Sequence, residues 1–221
     1  LIDSTVGSAA YQVTDDQDSE FVVSHLSVSL AAGAPRSGVI TAVAESCALD
    51  PVTGTGVSTA RVDAGESLVA QVMCRSVRAT RQRVGEAGHH GFPSPDTTAV
   101  AGLGLSPTIT GPEDSLRTPW STQPWMGNGL GSVQGGVILS TAAAVAEQVA
   151  DFQAQPGKHY RVIDISLEIM RSPLATTGNT YYWLSEELRR GRRLTVLTSA
   201  LRDAAGKLHA QSTATVLTLP D

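Results

Sequence analysis

Asn128 stands six positions ahead of Gln134, and Gln134 is followed at once by Gly135 and Gly136. The chain then runs through Val137, Ile138, Leu139, Ser140, Thr141 and a stretch of alanines to Ala146, an apolar pattern of small residues that reads as a helix. Glycines at such a place let a ligand come close to the backbone. The first N–H groups of a helix have no partner inside it, and the positive end of the helix dipole lies behind them. Donors arranged this way can hold a developing oxyanion. The plain alternative is a glycine-rich turn ahead of a buried helix.

The elements that would position these groups occur twice. Residues from His159 onward and residues from Glu20 onward each begin with an alternating strand, Val162-Ile-Asp-Ile-Ser-Leu-Glu-Ile-Met170 and Val22-Val-Ser-His-Leu-Ser-Val-Ser-Leu30. A Pro/Gly turn follows in both, Pro173 and Gly178 against Pro35 and Gly38. A second strand, a turn and a hairpin come next, with the hairpins turning at Ala205-Gly206 and at Asp63-Ala64-Gly65. The segment ahead of each block also corresponds, Thr141–Phe152 against Leu1–Gln12. Each half therefore reads as a helix followed by about four antiparallel strands.

An Asn…Gly-Gly loop, then a helix, then an antiparallel meander resembles the hotdog acyl-CoA thioesterases, in particular the phenylacetyl-CoA thioesterase-like branch. The resemblance is closer over residues 120–219 than over residues 1–79. It implies an α+β fold, a double hotdog with each sheet wrapped around a central helix. The boundaries it suggests are a first repeat over 1–79, a linker over 80–119 and a second repeat over 120–221. The strand and glycine loop expected ahead of the first helix either precede Leu1 or are lost by truncation of the repeat. Because Leu1-Ile2-Asp3 reads as the middle of a helix, residues upstream of Leu1 are expected.

The branch's motif is Asn, five residues, His-Gly-Gly, and an acid nine positions after the His. Here Gln134 replaces the His and Ala143 stands where the acid should be. Aligning the two helices sets Asp3 opposite Ala143. The resemblance implies that the site lies between two hotdogs, so Asp3 of one repeat would complete a site with Asn128 and Gly135 of the other. An N-cap or exposed terminal acid is the alternative. The apolar neighbours Leu1, Ile2, Val6, Ala9 and Ala10 favour a partly desolvated carboxylate. By family position Ser24 would help Asp3 hold a water. His25 is the spare for that role, and strict alternation puts the two on opposite faces of the strand. Gln134 and Gly136 would contact the substrate. Glu147, one turn beyond Ala143, is a lesser source of a carboxylate.

Arg189, Arg190, Arg192 and Arg193 form a basic turn in a chain of net charge −5. It is either a solvated hairpin tip or, through Arg190 and Arg192, a grip on the phosphates of coenzyme A. It is too small for a nucleic-acid footprint. His89-His90 read as loop residues, with no Cys or acid at metal-ligand spacing. Cys47 and Cys74 read as buried thiols of a reducing cytosol. Residues 80–119, rich in Gly, Pro, Ser and Thr, read as a long linker. Trp120 and Trp125 open the second repeat, where one of them either lines an acyl pocket or belongs to the core.

Apolar content of 41% is that of a globular chain, and no stretch approaches a membrane span or a signal peptide. The expectation is a cytoplasmic acyl-CoA thioesterase with no cofactor, no metal, no nucleic acid and no membrane partner. A homodimer of double hotdogs is its expected assembly. Two rivals stand beside it, a non-catalytic acyl-CoA-binding protein and a hotdog hydratase or dehydratase. The latter needs a His in the loop or helix that this chain lacks.

Overall fold

β-Branched and small residues alternate through both blocks, and a computed structural model of the chain turns them into matching antiparallel strands. It describes residues 3, 5–7, 9, 13, 20–31, 38–79, 98–112, 115–153 and 158–219. The readings made at Leu1, Ile2, Ala10, Pro35 and His89-His90 lie outside the described residues. The chain divides into two compact units, Leu1–Gln82 and Arg83–Asp221.

In the first unit, β1 (Glu20–Leu30), β2 (Ile40–Asp50), β3 (Thr55–Ala64) and β4 (Ser67–Ala79) pair antiparallel in the order β2-β3-β4-β1. One face of this sheet carries Leu26, Val28, Ser58, Ala60, Val62, Val72 and Cys74, all buried. Asp3, Thr5, Val6, Gly7 and Ala9 are helical. Val6 is fully buried, and the Ser58 hydroxyl donates to its carbonyl at 2.8 Å. The helical residues thus lie on the inner face of their own sheet.

The first described element of the second unit is a single helical turn, Ala99–Gly102, capped by the Thr98 hydroxyl. β5 (Leu116–Ser121) and a 3-10 turn, Pro124–Met126, lead to the central helix Gly135–Phe152. β6 (His159–Ile169), β7 (Thr180–Arg190), β8 (Leu194–Asp203) and β9 (Leu208–Leu219) follow. The strand order is β6-β9-β8-β7-β5, antiparallel throughout. The helix buries Ile138, Ala142, Val145, Ala146, Val149 and Ala150 against that sheet. Its alanines let the backbones approach, and each larger side chain contributes about 1.5–3 kcal/mol by burial. Among the described residues no helix is long and apolar enough to cross a membrane.

The internal geometry repeats as well as the order. β1 and β6 each break register once, between Val23 and His25 and between Val162 and Asp164. The hairpins β3-β4 and β8-β9 slip at matching places, between Val62 and Asp63 and between Leu201 and Arg202. Gly65 and Gly206 turn these hairpins with φ of +61° and +81°, the left-handed region that glycine enters freely.

Two sequence readings change. The bulge at Ser24 breaks the alternation expected to set Ser24 and His25 on opposite faces, because the extra residue takes no place in the ladder. Residues 98–119, read as linker, contain ordered structure. Trp120 is fully buried in β5, its indole N–H donates to the Leu103 carbonyl at 2.8 Å, and Leu105 bridges back to it. That indole anchors the segment beside backbone bonds from Ser106 N–H to the Pro119 carbonyl and from Ser121 N–H to the Gly104 carbonyl, and Trp120 is a core residue.

Candidate functional site

Asn128 folds its own loop. Its side-chain oxygen accepts the backbone N–H groups of Leu130 and Ser132 at 3.0 and 3.2 Å. Two donors on that atom fix which end of the amide is oxygen, so the remaining group is an NH2 that can only donate. Gly131, at φ +73°, turns the loop, and its N–H donates to the Asn128 carbonyl at 3.0 Å. Asn128 N–H donates in turn to the Ser132 carbonyl at 2.8 Å.

The loop meets the helix at Gln134. The Gln134 N–H donates to the Met126 carbonyl at 2.9 Å, and its Nε2 donates to the Gly127 carbonyl at 3.0 Å. The Gln134 carbonyl accepts from Val137 and Ile138. Gln134 is the N-cap residue, and its side chain makes no capping bond. Among the described residues, the Gly135 and Gly136 N–H groups therefore have no acceptor. These are the donors that the sequence marked out, at the start of an eighteen-residue helix.

Sequence reasoning missed what holds the loop from outside. Val133 N–H donates to the Pro173 carbonyl at 2.8 Å, and Ala175 N–H donates to the Gly131 carbonyl at 3.2 Å. Ser132 bridges Leu174, and the Leu174 N–H donates to the Tyr181 hydroxyl at 3.1 Å. Tyr181 is buried against Trp120 and His209, with ring centroids 5.9 and 5.1 Å away. Gly127 has no room for a side chain: a Cβ there would stand 2.9 Å from that of Ala175. The local signal was Pro173, which was read only as a turn.

On the helix, Gly136, Ala143 and Glu147 share a half-buried face with exposed Ser140. Ala143 brings no acid to it. Glu147 accepts the Val162 N–H at 2.9 Å, at the register break of β6, so its carboxylate ties helix to sheet. Trp125, half-buried two residues before Gly127, is the indole nearer the loop in sequence.

In the first unit, Asp3 is half-buried. Burial first, and then the Asp3 charge, push the Cys74 thiol up to about 12, against a weaker opposing hydrogen bond from Ser58. The Asp3 carboxylate thus acts toward the inner face of its sheet. The Ser24 hydroxyl donates to the Arg75 carbonyl at 3.2 Å, which leaves its lone pairs free to accept.

Arg190 is engaged with its own fold. It pairs with Glu187 at 2.5 Å and donates to the Gln153 side-chain oxygen at 2.9 Å. Gln153 caps the C-terminal end of the central helix. Eighteen residues at ~1.5 Å rise put Arg190 about 27 Å along the helix axis from the Gly135 N–H. Arg192 is exposed on the same turn. Among the described residues, no group of three or more His, Cys, Asp or Glu could hold a metal ion.

No protein-family model matches the chain, and no curated protein matches it. Solved structures do. The tesB protein of Mycobacterium avium subs paratuberculosis aligns with 97% of this chain and 84% of its own, at 12% identity and a TM-score of 0.63. A thioesterase from Haemophilus influenzae aligns with 56% of this chain and 84% of its own, at 20% identity and a TM-score of 0.50. A mutant thioesterase from Staphylococcus aureus aligns with 56% of this chain and all of its own, at 14% identity and the same score. The chain therefore shares the fold of these structures, an antiparallel sheet with a helix on its inner face, as expected from the Asn…Gly-Gly loop and its meander.

Proposed function

We propose that the chain is an acyl-CoA thioesterase built of two tandem hotdog repeats. The observation that carries the reading is the pair of glycine N–H groups without an acceptor, beside an Asn128 amide that can only donate. Two of the similar structures, from Haemophilus influenzae and Staphylococcus aureus, are thioesterases, which supports the reaction class. The recurring register breaks and hairpin glycines support the tandem.

In this reading the thioester carbonyl oxygen sits on the Gly135 N–H, and the Asn128 NH2 orients it. Water oxygen attacks the carbonyl carbon while the Asp3 carboxylate takes its proton, or the carboxylate attacks directly. The C–O π pair moves onto oxygen and is held as an oxyanion. On the water route, collapse breaks the C–S bond, the proton held by Asp3 passes to the leaving thiolate, and thiol and acid depart; on the direct route, collapse leaves an acyl anhydride on Asp3 that a water then hydrolyses to the acid. Asp3 serves from the first repeat and Gly135 from the second, because Ala143 leaves the second repeat without an acid of its own. Ser24 orients Asp3 or the water, while Gln134 and Gly136 line the substrate.

The separation between Arg190 and Gly135 gives Arg190 and Arg192, as a grip on coenzyme A, the phosphates far from the reacting bond. One observation favours a second reading, a non-catalytic acyl-CoA binder: Ala143 leaves the second repeat without its acid. The test compares Gly135→Ala with Gly135→Pro in thiol release from acyl-CoAs. Both add a Cβ, but only proline removes the N–H, and it suits the first helical position. Gln134 already has the extended backbone that a following proline requires, φ −62° and ψ 142°. Proline should cost ~100–1,000-fold more than alanine. Equal losses count against the oxyanion role, and ester binding without any turnover brings the second reading forward.

A further inference from the structure

Beyond the thioester site, three exposed apolar side chains share one end of the second unit with four arginines. Arg189, Arg190, Arg192 and Arg193 ring the tip of the β7-β8 hairpin, and all four are exposed. Leu188 and Leu194 on the same tip are 61% and 43% exposed, and Phe152 at the helix end is 57% exposed. The Arg190–Gln153 hydrogen bond sets that helix end beside the tip. The arrangement is held by specific bonds. Gly191 N–H donates to the Leu194 carbonyl at 2.7 Å, and Thr218 N–H donates to the Arg193 carbonyl at 2.8 Å. A register break between Glu187 and Arg189 makes Leu188 the extra residue of β7, outside the ladder.

We propose that this tip docks the protein on an anionic lipid surface. The charge balance at the leading edge is cationic. Glu187 neutralises Arg190, and Glu186 lies three ladder pairs behind it. Among the described residues of this tip, Asp151, exposed on the helix, is the remaining acid, against Arg189, Arg192 and Arg193. Arginines bind lipid phosphates, and the Leu and Phe side chains gain by entering the acyl boundary beneath them. Other occupants use only half of the surface. A nucleic acid, or the phosphates of a free coenzyme, would engage the arginines and leave Leu188, Leu194 and Phe152 in water. A second copy meeting this face across a two-fold axis would set arginines against arginines. Docking of this kind needs no membrane-crossing helix.

The experiment is co-sedimentation of the full chain with vesicles of phosphatidylcholine, with or without phosphatidylglycerol, at low and high salt. Binding should require phosphatidylglycerol and weaken with salt. Arg189→Ser and Arg193→Ser should each lower partitioning roughly fivefold. Leu188→Ser should lower it without changing the salt dependence. None of the three lies in the proposed thioester site, so thiol release in solution should be unchanged. Four results would overturn the proposal: no sedimentation with either vesicle, unaltered binding of the triple variant, release of bound protein by coenzyme A alone, or a concentration-dependent dimer that the triple variant abolishes.

Discussion

Gln134 Nε2 donates to the Gly127 carbonyl at 3.0 Å and so closes the loop carrying Asn128 onto the helix start. An amide does this without titrating. Gln134→Ala should lower kcat roughly tenfold through lost positioning, a hydrogen bond's worth of about 1 kcal/mol or a little more. Gln134→His should restore a donor and introduce a step near pH 6.5 in the pH–rate profile. A Gln134→His profile with no such step would contradict a place for residue 134 beside the reacting carbonyl.

Tyr181 is the outer support of the same loop, through Leu174 and its bridge to Ser132. Tyr181→Phe keeps the ring packing on Trp120 and removes only the hydroxyl. A loss of about 1 kcal/mol is expected in stability, with a several-fold drop in kcat and little change in KM. A KM effect with intact kcat would place Tyr181 in binding and not in support of the donors.

The Cys74 thiol is pushed up to about 12, while an unfolded chain ionises it near its ordinary value of 9.0. The unfolded state therefore sheds this proton first. The stability linked to Cys74 is complete below about pH 9 and is lost as pH rises toward 12. A thiol reagent at pH 8 should label half-buried Cys47 and spare Cys74 until denaturant is added. Cys47 and Cys74 both oppose Ser58, one from each side. Two strand spacings of ~4.8 Å keep them too far apart for a disulfide. Labelling of both thiols in the native protein would contradict this placement.

Thr118 and Trp183 face each other across β5 and β7, both fully buried. Among the described residues, neither the Thr118 hydroxyl nor the Trp183 indole N–H finds a partner. Thr118→Val is close to isosteric and removes an unmet polar group. It should raise stability by about 1 kcal/mol, read as a higher Tm. Destabilisation of that size would mean that the hydroxyl bonds an internal water.

The parts of the fold that were legible in sequence are those where one residue's chemistry decides its surroundings. Alternation in Val22–Leu30 and Val162–Met170, the hairpin glycines and the Gly135 helix start all follow from local geometry. The bulge at Ser24 was not legible, because nothing in Val-Ser-His distinguishes an extra residue from a paired one. The Trp120 anchor in the linker, the Tyr181 support and the Arg190–Gln153 bond join residues 17, 7 and 37 positions apart. No periodicity encodes such pairs. At the site, the Asn128 and Gly135 donors could be read from types and spacing. The commitment of the Asn128 oxygen to its own loop could not.

The central claim is that Asp3 supplies the carboxylate for the donors at Gly135. Thiol release from short, medium, long and aromatic acyl-CoAs, wild type beside Asp3→Asn, tests it most directly. The account predicts turnover by wild type and a loss of at least ~100-fold in Asp3→Asn with the protein still folded. Undiminished activity in Asp3→Asn would contradict the account and turn attention to Glu147.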